Sequence, residues 1–485
     1  MNYLDVAVRY VRHDWSAAIN SYWSPLYSWL LASTMAIFRP TPRMESTVLH
    51  ALNFLIFLGA LACGEFFLRQ LIRELREDSM PEWALWCIGY SLLLFVSLSL
   101  NPPSLDTPDL CTSGLFYLAA GLLIRMRAAR TPSAVCATFG CILAFAYFSK
   151  TVMFLVAFAF FVAAGVRRQT LVAVACFLAI ALPWIVILSH SVGHLTYGDA
   201  GTINYMKYVS SSGTPLHPVR LMSSEPKVWE FATSIQVTYP PWYVTSWVDG
   251  IHPHLELKKQ AAVLISNAHD YLRLLSGQKV FMLVFLLVFL AWPSMSTNHW
   301  YLLIPPLSGF GLYALVHVEP RLVGAFFFIS WMVLFTSLRV RLRWVVVLAA
   351  IAIIGGTVTK VVMAQLGSMK HSENVQWYTA EGLLRAGLPT GSYVAVFGHG
   401  DEGDYWAHLA GLRIVADIER EQMPAYWSLP NAARAEIEAR LEQRGVQAII
   451  STGKPREDGW QTIPRSTYYL RLLLPSDSPN VKDGR

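Results

Sequence analysis

The residues best placed to do chemistry are two carboxylates. Asp106 and Asp109 lie in Asn101–Asp109 (NPPSLDTPD), a short polar interruption between two long apolar runs. This stretch has no Lys or Arg to neutralise them, and its prolines stop a helix. Carboxylates at a membrane boundary can hold a cation or act as a general base, because desolvation raises a carboxyl's pKa toward the range where it accepts a hydroxyl proton. The plainer reading is a solvated loop in which Asp109 caps the next helix. Asp5 and Asp14, near the N-terminus, could complete an acidic cluster or form the polar face of an interfacial helix.

Two cations could serve a phosphate. Lys150 ends an apolar run in AYFSKTVMF, where it either snorkels to the interface or meets a phosphate as a point charge. Arg321 follows Glu319 and Pro320 between two apolar runs. Its guanidinium could clamp a phosphate bidentately or pair with Glu319 as a structural link. Tyr239, Trp242, Tyr243 and Trp247 flank Pro240 and Pro241 and could stack on a sugar or sit in an interfacial aromatic belt. His252 and His254 offer metal-ligating nitrogens without a carboxylate at a defined spacing. A divalent cation is therefore an open alternative, and no cofactor is assigned. GHGDEGDYW at 398–406 has neither nucleotide-loop pattern, and His399 and His408 read as structural or solvent-facing. Glu65 reads as structural.

The elements that must position these residues are membrane helices. Hydrophobic residues make up 54% of the chain and charged residues 14%, which excludes an ordinary soluble globule. The net charge of +6 is modest, and its arginines cluster in short loops, which argues against a nucleic-acid surface. The six cysteines all lie in or beside apolar runs and read as small buried hydrophobes. The segment after Met1 is polar and has no apolar core of a signal peptide.

Apolar runs predict spans near 46–67, 82–100, 110–126, 132–148, 151–166, 169–189, 279–296, 300–317, 321–338 and 343–363. The run Ser24–Phe38 is shorter, carries Pro25 and suits a re-entrant or interfacial helix. Loops with Arg69, Arg73 and Arg76, with Arg125, Arg127 and Arg130, with Arg167 and Arg168, and with Arg339, Arg341 and Arg343 then share the cytoplasmic side. Every candidate chemical residue falls on the other face. The expected organisation is external juxtamembrane helices over 1–45 and a first transmembrane group over 46–189 that includes the acidic loop 101–109. An external loop over 190–278, a second transmembrane group over 279–363 and a small external α/β domain over 370–485 follow. This topology leaves the N-terminus outside with no helix to carry it across, so a first transmembrane helix is expected ahead of Met1.

In order along the chain, YLDVAVRYVRHDW with SYWSPLYSWLLA, TPDL at 107–110, YFSKTVMF, LTYGDAGTINY, TYPPWY and YALVHVEPR resemble the GT-C superfamily of membrane glycosyltransferases. The likeness is to bacterial members of the dolichyl-phosphate-mannose protein mannosyltransferase and aminoarabinose-transferase type, and covers the whole membrane part. The resemblance implies a GT-C-like polytopic helical fold with a C-terminal α/β domain in a bacterial inner membrane, that domain being periplasmic. It implies transfer of a sugar, inverting, from a polyprenyl-phosphate donor to a lipid, glycan or protein acceptor outside. Asp109 matches the second acidic motif, Lys150 the conserved Lys segment and Arg321 the Arg turn, so these imply a base and two phosphate ligands. The family's first catalytic Asp precedes the position of Tyr3, so it falls before Met1, and Asp5 is the available replacement. Leu322 stands where many relatives have Tyr. The rivals are a transporter or flippase for a lipid-linked sugar, which predicts mid-membrane charges and a repeat, and an inactive GT-C-like scaffold.

Overall fold

The computed structural model of the 485-residue chain describes residues 2–74, 80–128, 131–210, 219–231, 237–239, 254–291, 298–338, 343–369, 375–399 and 403–473. Three short helices come first: α1 (Asn2–Val11), α2 (Trp15–Ala18) and α3 (Pro25–Phe38). The bundle follows with α4 (Pro42–Arg73), α5 (Glu82–Phe95), α6 (Asp109–Met126), α7 (Ser133–Ser149), α8 (Val152–Ala164), α9 (Arg168–Val192) and α10 (Ala200–Tyr208). It continues, past a hairpin described below, with α11 (Leu257–Gly277), α12 (Lys279–Ala291), α13 (Ile304–Ala314), α14 (Pro320–Ser337) and α15 (Arg343–Met369).

Among the described residues, six helices are long and apolar enough to cross a membrane, where ten spans were expected: Pro42–Arg73, Glu82–Leu100, Asp109–Met126, Arg168–Val192, Pro320–Ser337 and Trp344–Met363. The difference has local causes. Lys150 is extended (φ −157°) and separates α7 from α8, as the expected spans on either side of it have it, but at 17 and 13 residues both are shorter than the six. Gly165, at φ +83°, ends α8. The 300–317 run divides into a 3₁₀ turn and the 11-residue α13. α11 and α12 meet at a 74° bend, so the second is no independent span.

Small residues let these helices close on one another. A Cβ on Gly140 would stand 2.0 Å from the Ala173 carbonyl oxygen, so α7 and α9 touch backbone to backbone there. Gly114 sits against the Ala60 backbone and Gly121 against that of Phe67, which seats α6 on α4. Phe67, Phe116, Tyr117, Phe139, Phe160 and Phe328 fill the core between. At one end the arginines gather: Arg125 donates to Gln70 (3.0 Å), Arg127 to the Ala163 carbonyl (3.0 Å) and Arg167 to that of Arg127 (3.3 Å). Asp109, Lys150 and Arg321 collect elsewhere, away from those ends.

The C-terminal domain is a seven-stranded sheet. Its strands are β1 (Val219–Ser224), β2 (Lys227–Phe231), β3 (Tyr393–His399), β4 (Arg413–Glu419), β5 (Val446–Ser451), β6 (Gln461–Thr462) and β7 (Tyr469–Leu472). They lie in the order β1-β2-β4-β3-β5-β7-β6, with β4, β3 and β5 parallel. The sequence reading expected a small α/β domain over 370–485. It did not find that the external loop supplies an edge hairpin, β1 and β2, so 190–278 is woven into the domain. α16 (Val375–Arg385) and α17 (Tyr405–Leu409) cover one face with Trp406, Leu383 and Tyr468. Phe397, Tyr426 and Leu441 fill the other.

Candidate active site

Asp109 is the first residue of α6, released from the preceding chain by Pro108. Its carboxylate is 2% exposed. Burying a carboxylate is costly unless it is paired and hydrogen-bonded. Two cations meet that demand. Lys150 Nζ donates to Asp109 Oδ1, and Arg321 Nη1 donates to Oδ2 at 3.2 Å. The helix N-terminus adds its positive end.

Each cation is held by its own element. Lys150 is the break between α7 and α8, and Ser149 beside it shares a 2.9 Å hydrogen bond with Thr112 of α6. Arg321 follows Pro320, which starts α14 with φ already suited to a helix. Arg321 Nε donates to Glu319 Oε2 at 2.6 Å, and Glu319 Oε1 meets His317 Nε2 at 3.1 Å. The His317 contact first, then Arg321, outweigh burial and draw the Glu319 carboxyl down to about 2. Tyr208 of α10 stacks on His317 with centroids 4.2 Å apart. Asp109, Lys150 and Arg321 share a small cavity of about 10 Å³ with Thr112 and with the apolar side chains of Phe116, Val152, Met153 and Phe326. The Asp109 carboxylate bridges the two cations.

Asp106, three residues earlier, has a different setting. It is exposed, and among the described residues its hydrogen-bond partner is Asn53, whose Nδ2 donates to Oδ1 at 2.9 Å. Tyr27 Oη donates to the same amide's Oδ1 at 2.8 Å. Asp106 faces a cavity of about 120 Å³ shared with Tyr3, Leu4, Tyr27, Leu31, Leu49, Gly403, Asp404 and Tyr405. Tyr3 stands between this cavity and the Asp109 group. Burial, then the Asp109 carboxylate, push its phenol well above the ordinary 10, with Arg321 opposing.

Asp5 lies elsewhere. It is 7% exposed, accepts a 2.8 Å hydrogen bond from Thr238 Oγ1 and stands 3.4 Å from His408 Nδ1. His408 Nε2 reaches Glu45 Oε1 at 3.1 Å, and Tyr405 Oη donates to the same oxygen at 3.0 Å. His408 is thus neither solvent-facing nor a plain core residue. It joins α1 and α4 to the C-terminal domain. Burial would lower its pKa, but the Asp5 and Glu45 carboxylates outweigh burial and raise it from 6.5 to about 9. Asp14 caps α2 and pairs with Arg9 at 2.9 Å.

Tyr239 was expected at a sugar or a membrane surface. It is buried inside the C-terminal domain, because its ring completes the core beside Phe231 and its hydroxyl donates to Asp417 at 2.8 Å. Its ring stacks on His399, which is likewise packed inside and stands 3.5 Å from Asp404. Trp242, Tyr243, Trp247 and His252 lie outside the described residues. Among the described residues, no group of three or more His, Cys, Asp or Glu side chains could hold a metal ion. Sequence reasoning passed over Glu45, Thr238 and Tyr405. Their only signal was a Tyr and a His three residues apart on one short helix.

No family model matches the chain, and no curated protein matches it in sequence. Solved structures do match in fold. The crystal structure of ArnT from Cupriavidus metallidurans bound to undecaprenyl phosphate aligns with 99% of this chain and 94% of its own, at 10% identity and a TM-score of 0.54. The apo oligosaccharyltransferase of Archaeoglobus fulgidus aligns with 93% of this chain and 65% of its own, at 12% identity and a TM-score of 0.51. The chain therefore shares the fold of these structures: a multi-pass helical membrane protein with a C-terminal α/β domain.

Proposed function

From that fold we propose a membrane glycosyltransferase that moves a sugar from a polyprenyl-phosphate donor to an acceptor hydroxyl on the external, periplasmic face. The observation that supports it most is the convergence of Lys150 and Arg321, from separate helices, on one buried carboxylate, in a cavity they share with apolar side chains. Phosphate is the larger, more highly charged anion, and a Lys point charge with an Arg fork suits it. The fold also belongs to a protein crystallised with undecaprenyl phosphate.

In this reading Lys150 and Arg321 hold the donor phosphate and stabilise the negative charge that grows on it as the sugar–oxygen bond breaks. Glu319 and His317 hold the guanidinium in place. Asp109 is the counter-ion that keeps the cations together before the donor arrives. Two cations already occupy its carboxylate oxygens, which leaves them closed to an acceptor hydroxyl. Asp106, held by a neutral amide and facing a cavity, is the better base. It takes the acceptor's proton while the acceptor oxygen attacks the anomeric carbon from the face opposite the phosphate. The products are the inverted glycoside and the polyprenyl phosphate. Polar groups crowd one end of the bundle instead of its middle, which favours an enzyme over a flippase.

The test is transfer from a radiolabelled polyprenyl-phosphate hexose in membranes containing the protein. Asp106→Asn should lose at least about 10²-fold in rate with donor binding retained, the scale of a lost general base. Full activity of Asp106→Asn removes it as the base, and no transfer from any such donor by the parent sinks the reading.

A further inference from the structure

The cavity at Asp106 is built from two parts of the chain far apart in sequence. The juxtamembrane helices supply Tyr3, Leu4, Tyr27 and Leu31, and the C-terminal domain supplies Gly403, Asp404 and Tyr405. The domain is fixed in this position by polar contacts. His408 sits between Asp5 and Glu45, Tyr405 donates to Glu45, and Thr238 donates to Asp5.

The fixed hydroxyls decide what the cavity can offer. Tyr27 Oη is committed to Asn53 and Tyr405 Oη to Glu45. These two rings therefore present carbon, not hydroxyl, to an occupant. Tyr27 and Tyr3 meet edge to face at 5.4 Å, and Leu31 and Leu49 widen the apolar wall. The charged groups on the lining are Asp106 and Asp404, which as carboxylates only accept hydrogen bonds; Asp404 Oδ1 also stands 3.5 Å from His399 Nδ1, so part of its accepting capacity is taken. An occupant must therefore show C–H faces to aromatic rings and several donors to two carboxylates. A sugar ring has both. A peptide offers backbone N–H donors too, but pairs each with a carbonyl that two carboxylates repel.

On the reading of the site given above, we infer that this cavity is the acceptor subsite, that it takes a sugar unit of a glycan or glycolipid, and that the C-terminal domain is part of it through Asp404 and Tyr405. A hydroxyl of that sugar directed at Asp106 is then the one glycosylated. Asp404 and Tyr405 select the acceptor and take no part in the bond changes.

The experiment uses the full chain in lipid nanodiscs and ligand-observed saturation-transfer NMR. The probes are methyl glycosides of neutral hexoses and, as the rival, a Ser/Thr-containing peptide. Undecaprenyl phosphate binding is measured on the same samples. The parent should bind at least one glycoside. Asp404→Asn should weaken it by about tenfold or more, the scale of one lost charged hydrogen bond. Leu31→Trp, which fills the cavity from the membrane side, should do the same, and both variants should retain undecaprenyl phosphate. Unchanged glycoside binding in both variants overturns the inference, as does no glycoside binding by a parent that still takes undecaprenyl phosphate, or peptide binding that Leu31→Trp blocks. A parent that binds glycosides but no undecaprenyl phosphate fails the functional reading and leaves the sugar subsite standing.

Discussion

Replacing Asp109 with Asn separates two accounts of this carboxylate. As a counter-ion, Asp109 is 2% exposed between Lys150, 22% exposed, and Arg321, 33% exposed. Removing one partner of a fully buried ion pair costs about 3–5 kcal/mol. Here the cations are partly wet, and water recovers some of their solvation, so a loss of about 2–3 kcal/mol is expected. The unpaired cations also become a better anion site. Undecaprenyl phosphate should therefore stabilise Asp109→Asn more than it stabilises the parent. A ligand at about 100 times its Kd contributes about 2.7 kcal/mol, enough to restore most of the loss. The assay is unfolding of both proteins in detergent, with and without the lipid, and with undecaprenol as the uncharged control. A variant as stable as the parent refutes the counter-ion role. A variant whose stabilisation by the phosphate lipid is lost refutes the idea that Asp109 stands in for the phosphate.

His408 makes docking of the C-terminal domain pH-dependent. Its pKa of about 9 lies above the ordinary 6.5, so its contribution, about 3 kcal/mol, is complete below about pH 6.5 and is lost as pH rises through about 9. Hydrogen exchange in α1 and α17 should speed up over that interval in the parent and not in His408→Leu. Asp417 behaves as a buried acid. Burial, opposed by His399 and Tyr239, raises its carboxyl to about 7, so the domain loses stability as pH rises from about 4 to 7. Asp417→Asn still accepts the Tyr239 hydroxyl, and should be about 1–3 kcal/mol more stable than the parent in a melt at pH 8. Gly140→Ala forces α7 off α9, because its Cβ would meet the Ala173 carbonyl oxygen at 2.0 Å. It should cost about 3 kcal/mol or more, read as a lower melting point and poor yield, while Gly59→Ala, with open space around it, should be silent.

Much of this was written in the sequence, and particular residues say why. The apolar runs required a membrane bundle, and Asp109, Lys150 and Arg321, picked out from separate segments, do meet. Hydropathy and proline positions are local signals, and both survive folding. The number of spans was less legible: the breaks at Lys150 and Gly165 fall between expected spans, but the run at 300–317 looks continuous in composition and folds as a 3₁₀ turn and an 11-residue helix. The roles within the acidic loop were not legible at all. Asp106 and Asp109 are three residues apart, and only their partners distinguish them: a neutral amide from α4 for one, two cations from α7–α8 and α14 for the other. Tyr239 was misread for a similar reason: the strands that enclose it come from the external loop and from the C-terminal segment. His408 is structural, as one of its two readings had it, but its partners Asp5 and Glu45 lie at the other end of the chain and carry no local signal.

The central claim is that Lys150 and Arg321 form a phosphate seat for a polyprenyl lipid. Native mass spectrometry of the parent and the Lys150→Ala/Arg321→Ala variant, each offered undecaprenyl phosphate and undecaprenol in competition, tests it most directly. The account predicts a strong preference for the phosphate lipid in the parent, about 10²-fold for two charge-assisted contacts, and none in the variant. An undiminished preference in the variant would contradict it.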